Sequence, residues 1–265
     1  MRIYGRITVY GEYLMHGDKP GLIMPSNLFL DTVSAGEILS LYSEEKDEVL
    51  QLIKKMGIRP NHTLCGNLPL GYGMAGSTTL SLLHLSNIED VGLKKRIVNE
   101  IDKTMHGFIP SGLDFESCIH QEWGFYCHAL GWQSISPMPI SYSLVKFPKE
   151  KKKSLDKIQN RILSMKNYLE PIQISLNASI KESNRIDWNS LMEYSKILLE
   201  ADVYSENVSH FVSTLIKQGM IAKGIGGLYD KVVLVVHSDE NIDYIDLEKI
   251  VNKFSGELIS NVILP

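Results

Sequence analysis

Between Pro69 and Thr79 the chain reads Pro-Leu-Gly-Tyr-Gly-Met-Ala-Gly-Ser-Thr-Thr. Gly71, Gly73, Ala75 and Gly76 let the backbone approach a ligand closely. Ser77, Thr78 and Thr79 can cap the helix that the apolar run Leu80-Ser-Leu-Leu-His-Leu85 predicts. The first turn of such a helix presents unpaired N–H groups at the positive end of its dipole, an anion site whose usual occupant is a phosphate. The plainer alternative is a glycine-rich loop before an ordinary helix. No Gly-Lys-Ser/Thr follows the glycines, so this is not a Walker-type loop. No βαβ unit surrounds them, which makes a poor dinucleotide fingerprint.

Three further segments carry reactive side chains. Gly5-Arg-Ile-Thr-Val-Tyr-Gly-Glu-Tyr-Leu-Met-His-Gly17 places Arg6, Glu12 and His16 around a strand and its loop. Asp102-Lys-Thr-Met-His-Gly-Phe-Ile-Pro-Ser-Gly-Leu-Asp114 sets one carboxylate near a helix end and another after a Ser111-Gly112 turn. Lys223-Gly-Ile-Gly-Gly-Leu-Tyr-Asp-Lys-Val-Val-Leu-Val-Val236 is a glycine cluster feeding an apolar strand. Taken singly, Asp114 reads as a turn or cap aspartate, Arg6 as an exposed strand residue and His106 as a helix-terminal one.

The elements that must hold these residues follow from periodicity. Strands are predicted over 2–10, 22–34, 37–42, 62–65, 123–130, 141–147, 231–237 and 257–264. Helices are predicted over 44–56, 77–87, 91–106 and 242–254, with a helical turn after Asp114. Residues 150–219 read as mostly helical, broken near Glu170-Pro171 and Asp187. A mixed first half and an α+β second half result, with domains expected over 1–147 and 148–265.

In this order the four segments resemble the GHMP kinase superfamily, which includes galactokinase, homoserine kinase, mevalonate kinase and phosphomevalonate kinase. The resemblance covers nearly the whole chain, and Pro-x-Gly-x-Gly-Met-Ala-x-Ser-Thr is its most specific part. Gly-Met-Ala-x-Ser-Thr is similar to the L-threonine kinase branch, and Met-His-Gly…Pro-Ser-Gly-Leu-Asp to mevalonate kinase. The third motif is shorter and less glycine-rich than the family's. The resemblance implies a two-domain α+β fold, with an N-terminal ribosomal-protein-S5-like domain and a C-terminal ferredoxin-like domain. It implies an ATP- and Mg²⁺-dependent kinase that phosphorylates a hydroxyl of a small metabolite: an amino-acid alcohol, a mevalonate-like compound or a sugar.

Residue by residue, the resemblance implies that Gly71, Gly73, Met74, Ala75, Gly76, Ser77 and Thr78 wrap the ATP phosphates. Ser77 and Asp102 would hold Mg²⁺, although the family more often has Glu at the second position and Ser at Gly76. The loop to Asp114 is one residue longer than in mevalonate kinase, which leaves Glu100 as the alternative carboxylate. Asp114 would take the proton of the acceptor hydroxyl. Arg6 stays protonated, so it would hold Asp114 ionised, orient it and neutralise the transferring group. Glu12, His16, Ser111, Gly112 and Gly226 would line the acceptor site, and Gly224, Gly226 and Gly227 would close over the phosphate loop from the second domain. A diphosphomevalonate decarboxylase, which shares the fold, would carry Arg near Asp114, where Phe108, Ile109 and Leu113 stand instead. A regulatory protein that binds nucleotide or metabolite without turnover is the third reading.

Composition narrows the partners. The chain has 265 residues, 44% hydrophobic and 22% charged, with a net charge of −4, which argues against a nucleic-acid or membrane-surface binder. The basic run Lys149-Glu-Lys-Lys-Lys153 reads as a solvated helix start. Cys65, Cys118 and Cys127 form no CxxC pair, and Cys118-Ile-His120 and Cys127-His128 match no common zinc spacing. With no charged-then-apolar leader, a cytoplasmic location is expected. The resemblance leaves a homodimer open.

Overall fold

The structure, a computed structural model, describes residues 1–15, 17–33, 44–60, 63–107, 109–148, 155–225, 232–237 and 244–262. They divide into two compact units, residues 1–7 with 23–123 and residues 8–22 with 124–265. The boundary expected at 147–148 lies inside the second unit.

Strand β1 (Arg2–Tyr10) and strand β2 (Gly21–Val33) contribute residues to both units. With β3 (Thr63–Gly66), β4 (Gly124–Cys127) and β5 (Gly131–Ser134) they form a five-stranded sheet of order β1-β2-β4-β5, with β3 on β2. The expected strand over 37–42 lies outside the described residues.

The first unit also holds helices α1 (Glu44–Lys55), α2 (Gly76–His84), α3 (Val91–His106) and α4 (Leu113–His120). Every residue of α2 is buried, serines and threonines included, so each hydroxyl there must find a partner. Ser81 Oγ does so by donating to the Ser77 carbonyl (2.8 Å). Helix α3 starts at Asp90, whose side chain accepts from the Leu93 N–H, and stops at Gly107 in the left-handed conformation. Val98 and Ile101, buried on one face, seat it in the unit's core with Leu80 and Leu83 of α2.

The second unit contains the sheet β7-β8-β6-β9, formed by β6 (Ser141–Lys146), β7 (Ile221–Gly224), β8 (Val232–His237) and β9 (Glu257–Val262). Neighbours pair antiparallel, with Leu144 opposite Leu234 and Ala222 opposite Val235. Helices α5 (Leu155–Ser183), α6 (Trp188–Glu200) and α7 (Glu206–Lys217) connect β6 to β7, and α8 (Tyr244–Lys253) connects β8 to β9. The strand order is fourth, first, third, second, the ferredoxin-like split βαβ arrangement.

Two expectations are corrected in this unit. The break at Glu170-Pro171 does not occur: α5 runs through Pro171 to Ser183. An interior proline loses one hydrogen bond and crowds the preceding turn, but Leu169, Gln173, Leu176 and Ile180 bury one continuous face across it, and that packing holds the helix together. The predicted strand over 123–130 is a hairpin half that ends at Cys127 and turns into β5, with Cys127 opposite Gly131.

Gly11, Lys19 and Pro20 are held in the second unit by polar contacts. The Gly11 N–H donates to the Tyr194 hydroxyl (3.0 Å). Gln173 Nε2 donates to the Lys19 and Pro20 carbonyls (3.0 and 2.9 Å), and Asn177 Nδ2 to Pro20 (2.9 Å). Gly11 has φ +93°, and a Cβ there would lie 2.4 Å from Gly21 Cα. Gly11→Ala is therefore expected to destabilise the protein by about 2 kcal/mol or more, read as a lowered melting temperature.

Candidate active site

The glycine-rich loop turns by left-handed backbone at Gly71 (φ +76°) and Gly73 (φ +75°), a conformation open to glycine at no steric cost. Ala75, the N-cap of α2, follows at φ +62°, a left-handed conformation that residues with a Cβ seldom adopt. The loop lies against β1, where the Arg6 N–H donates to the Met74 carbonyl (3.2 Å).

Helix α2 begins one residue earlier than expected, and Ser77 and Thr78 do not cap it. The first helical bond runs from the Thr79 N–H to the Ala75 carbonyl (2.9 Å), and no side chain caps the first turn. The N–H groups of Gly76, Ser77 and Thr78 thus have no acceptor within the helix. Freed from capping, Ser77 Oγ and Thr78 Oγ1 both donate to the Asp102 carboxylate (2.9 and 2.8 Å).

Asp102 is buried on α3, one turn from Val98 and beside Ile101. Burial pushes its carboxyl from the ordinary 3.8 up to about 6, and the charge of Asp114 adds to the rise, while Thr78, Ser77 and Arg6 oppose it. The alternative carboxylate, Glu100, is exposed on the same helix and pairs with Lys103. The structure brings Asp102, and not Glu100, to Ser77.

Asp114 stands in the first turn of α4, where a carboxylate is favoured by the helix dipole. Gly112, at φ +83°, makes the turn before it, and Ser111 Oγ accepts from the Leu113 N–H (3.3 Å). Arg6 reaches across from β1 and donates through Nε to Asp114 Oδ1. The arginine is almost covered while about a third of the aspartate remains accessible, so the pair offers a carboxylate backed by a fixed cation. Both charges act on Asp102, so Arg6, Asp114, Asp102, Ser77 and Thr78 form one cluster in the first unit.

A buried carboxylate flanked by two hydroxyl oxygens is a hard-oxygen donor set that fits Mg²⁺, which uses few protein ligands beside phosphates. Cys118 plays no comparable part: it is fully buried against Thr79 Oγ1 (3.4 Å), and burial pushes its thiol up to about 12.

The remaining candidates fall elsewhere. Glu12 is buried in the second unit and ion-paired with Lys223 Nζ (2.8 Å). Gly224 accepts from the same ammonium (2.7 Å). His16, Gly226 and Gly227 lie outside the described residues. Spacing did not point to Lys223; the available signal was a charged residue inside the apolar strand Ile221-Ala-Lys-Gly224.

No protein-family model and no curated protein matches the chain by sequence. Solved structures match over nearly its full length. Phosphomevalonate kinase from Streptococcus pneumoniae superposes with TM-score 0.67 at 13% identity, covering 98% of each chain. Mevalonate kinase from Methanococcus jannaschii gives 0.65 at 12% identity, covering 100% of this chain and 98% of that one. Galactokinase from Lactococcus lactis, complexed with galactose, gives 0.64 at 11% identity, covering 99% and 92%. The pneumococcal enzyme is also solved with phosphomevalonate and AMPPNP. The chain therefore has the α+β fold shared by these GHMP kinases. Among the described residues no helix is long and apolar enough to cross a membrane.

Proposed function

We propose that this chain, which carries the GHMP kinase fold, transfers the γ-phosphoryl group of ATP to a hydroxyl of a small metabolite. The observation that carries the reading is the cluster in the first unit: an Arg6–Asp114 pair together with Asp102 and the uncapped start of α2. The first-turn N–H groups of α2 and the backbone at Gly71–Ala75 are the donors for the nucleotide phosphates. Asp102, with Ser77 and Thr78, would hold Mg²⁺, which when bound neutralises charge on the phosphates.

In this reading the acceptor hydroxyl oxygen attacks the γ-phosphorus, the bond to the β,γ-bridging oxygen breaks, and ADP leaves. Asp114 receives the hydroxyl proton. Arg6 orients Asp114 through its Nε donor and offsets negative charge on the group in flight. Positioning and electrostatics carry most of phosphoryl transfer, so a small set of residues is sufficient.

The test is ADP release from Mg·ATP in the presence of threonine, homoserine, mevalonate, phosphomevalonate or a common monosaccharide. The reading predicts acceptor-dependent release with one of them. Nucleotide binding with no acceptor-dependent release from any would favour a regulatory binding protein instead.

A further inference from the structure

The buried hydroxyls of α2 are satisfied in two different ways. Ser81 takes the partner available within a helix, donating to the carbonyl four residues back (Ser77, 2.8 Å). Thr78 does not. The carbonyl four residues before it, that of Met74, accepts from the Arg6 N–H (3.2 Å). Thr78 Oγ1 instead reaches out of its own helix to Asp102 Oδ2 on α3 (2.8 Å). Ser77 Oγ donates to the other oxygen, Oδ1 (2.9 Å). Two adjacent residues of one helical turn thus grip the carboxylate, one on each oxygen.

The two hydroxyls are not equivalent. Ser77 and Asp102 retain 4% and 5% of their surface, whereas Thr78 has none. The Thr78 hydroxyl is therefore out of reach of a cation, and what it can do is fix the oxygen it holds. The terminal torsion of an aspartate is broad and soft, so a carboxylate held at one oxygen alone can swing about its Cβ–Cγ bond. Held at both, Asp102 keeps Oδ1 beside Ser77 Oγ. Mg²⁺ takes few protein ligands and tolerates little departure from octahedral geometry, so a preset pair of oxygens suits it better than a swinging one.

We propose that Thr78 is a positioning residue: its hydroxyl locks the Asp102 carboxylate so that Oδ1 and Ser77 Oγ stand together for the cation of Mg·ATP. This rests on the kinase reading above and refines it. Asp102 and Ser77 face the metal, and Thr78 serves it from behind without touching it.

The experiment compares Thr78→Val, which keeps the shape of the side chain and removes the hydroxyl, with Thr78→Ser, which keeps the hydroxyl and removes a methyl. Thr78→Ala removes the hydroxyl by truncation, so the result does not depend on how valine packs. Calorimetry gives the affinity of each protein for a non-hydrolysable ATP analogue without metal. Mn²⁺ is then titrated into the protein–analogue complex and followed by electron paramagnetic resonance, and the melting temperature of each protein is recorded.

Thr78→Val and Thr78→Ala are expected to bind Mn²⁺ roughly 10- to 100-fold more weakly, the usual effect of removing a group that orients a metal ligand. Their affinity for the metal-free analogue should stay within about threefold, because the backbone N–H groups of the loop are unchanged. Both should melt lower, since each leaves a buried carboxylate oxygen without its donor. Thr78→Ser should restore the Mn²⁺ affinity to within about threefold of the wild type. A merely structural role would lower the melting temperature and the metal-free nucleotide affinity together, without singling out the metal.

Wild-type Mn²⁺ affinity in Thr78→Val and Thr78→Ala overturns the proposal, as does a Thr78→Ser protein as weak as they are. Asp102→Asn separates these results from failure of the underlying reading. Loss of Mn²⁺ binding in Asp102→Asn alone leaves the metal site standing and removes only the role of Thr78. Wild-type Mn²⁺ affinity in Asp102→Asn strikes the metal site itself and this proposal with it.

Discussion

Asp114→Asn is expected to lower kcat by about 10²- to 10⁴-fold while leaving the Kd for ATP within about threefold. Asparagine keeps the volume of the side chain, and its amide oxygen can still accept from Arg6 Nε, so the β1–α4 contact survives. What it cannot do is take a proton from an attacking hydroxyl. The side chain remains partly accessible in the wild type, where a substrate can reach it, and its place in the first turn of α4 does not depend on its charge. Steady-state kinetics together with nucleotide titration by calorimetry separates the two effects. An unchanged kcat would remove Asp114 from the proton path.

Asp102→Asn is expected to act in opposite directions on activity and stability. Activity should fall about 100-fold or more, with a much higher Mg²⁺ requirement, because the buried carboxylate is the residue proposed to hold the metal. The metal-free protein, by contrast, should become more stable at neutral pH. The folded carboxyl titrates at about 6 against an ordinary 3.8, so the folded state binds a proton more tightly than the unfolded chain. Its contribution is then fully present below about pH 4 and is lost as pH rises through about 6. The rise corresponds to about 3 kcal/mol. Melting curves of the metal-free wild type should accordingly lose stability between pH 4 and 6 relative to Asp102→Asn, whose neutral amide does not titrate. Parallel curves for the two proteins would contradict this.

The glycine loop and its order relative to Arg6, Asp102 and Asp114 were legible in the sequence because glycine at left-handed positions leaves a local signature. The register between Asp102 and Glu100 was not. Two residues apart on a helix, they lie on different faces, and only the packing of α3 against α2 decides that Asp102 meets Ser77 and Thr78. The start of α2 was misplaced for a related reason. Ser and Thr look like capping residues, but a carboxylate 25 positions away competes for the Ser77 hydroxyl and wins. Helix α5 reads as broken because proline penalises the helix locally, while the buried face that overrides it is tertiary. Lys223 pairs with a residue in the first loop of the chain, and no spacing rule links such distant partners.

The measurement that bears most directly on the central claim follows the label of γ-labelled ATP. Wild type and Asp114→Asn are incubated with Mg·ATP and each acceptor, under conditions where both bind nucleotide equally. The account predicts that the label moves to one acceptor as a stable phosphomonoester, one per ADP formed, and that the variant abolishes the transfer. Label found only in ATP or in inorganic phosphate, with nucleotide bound and every acceptor unmodified, would contradict it.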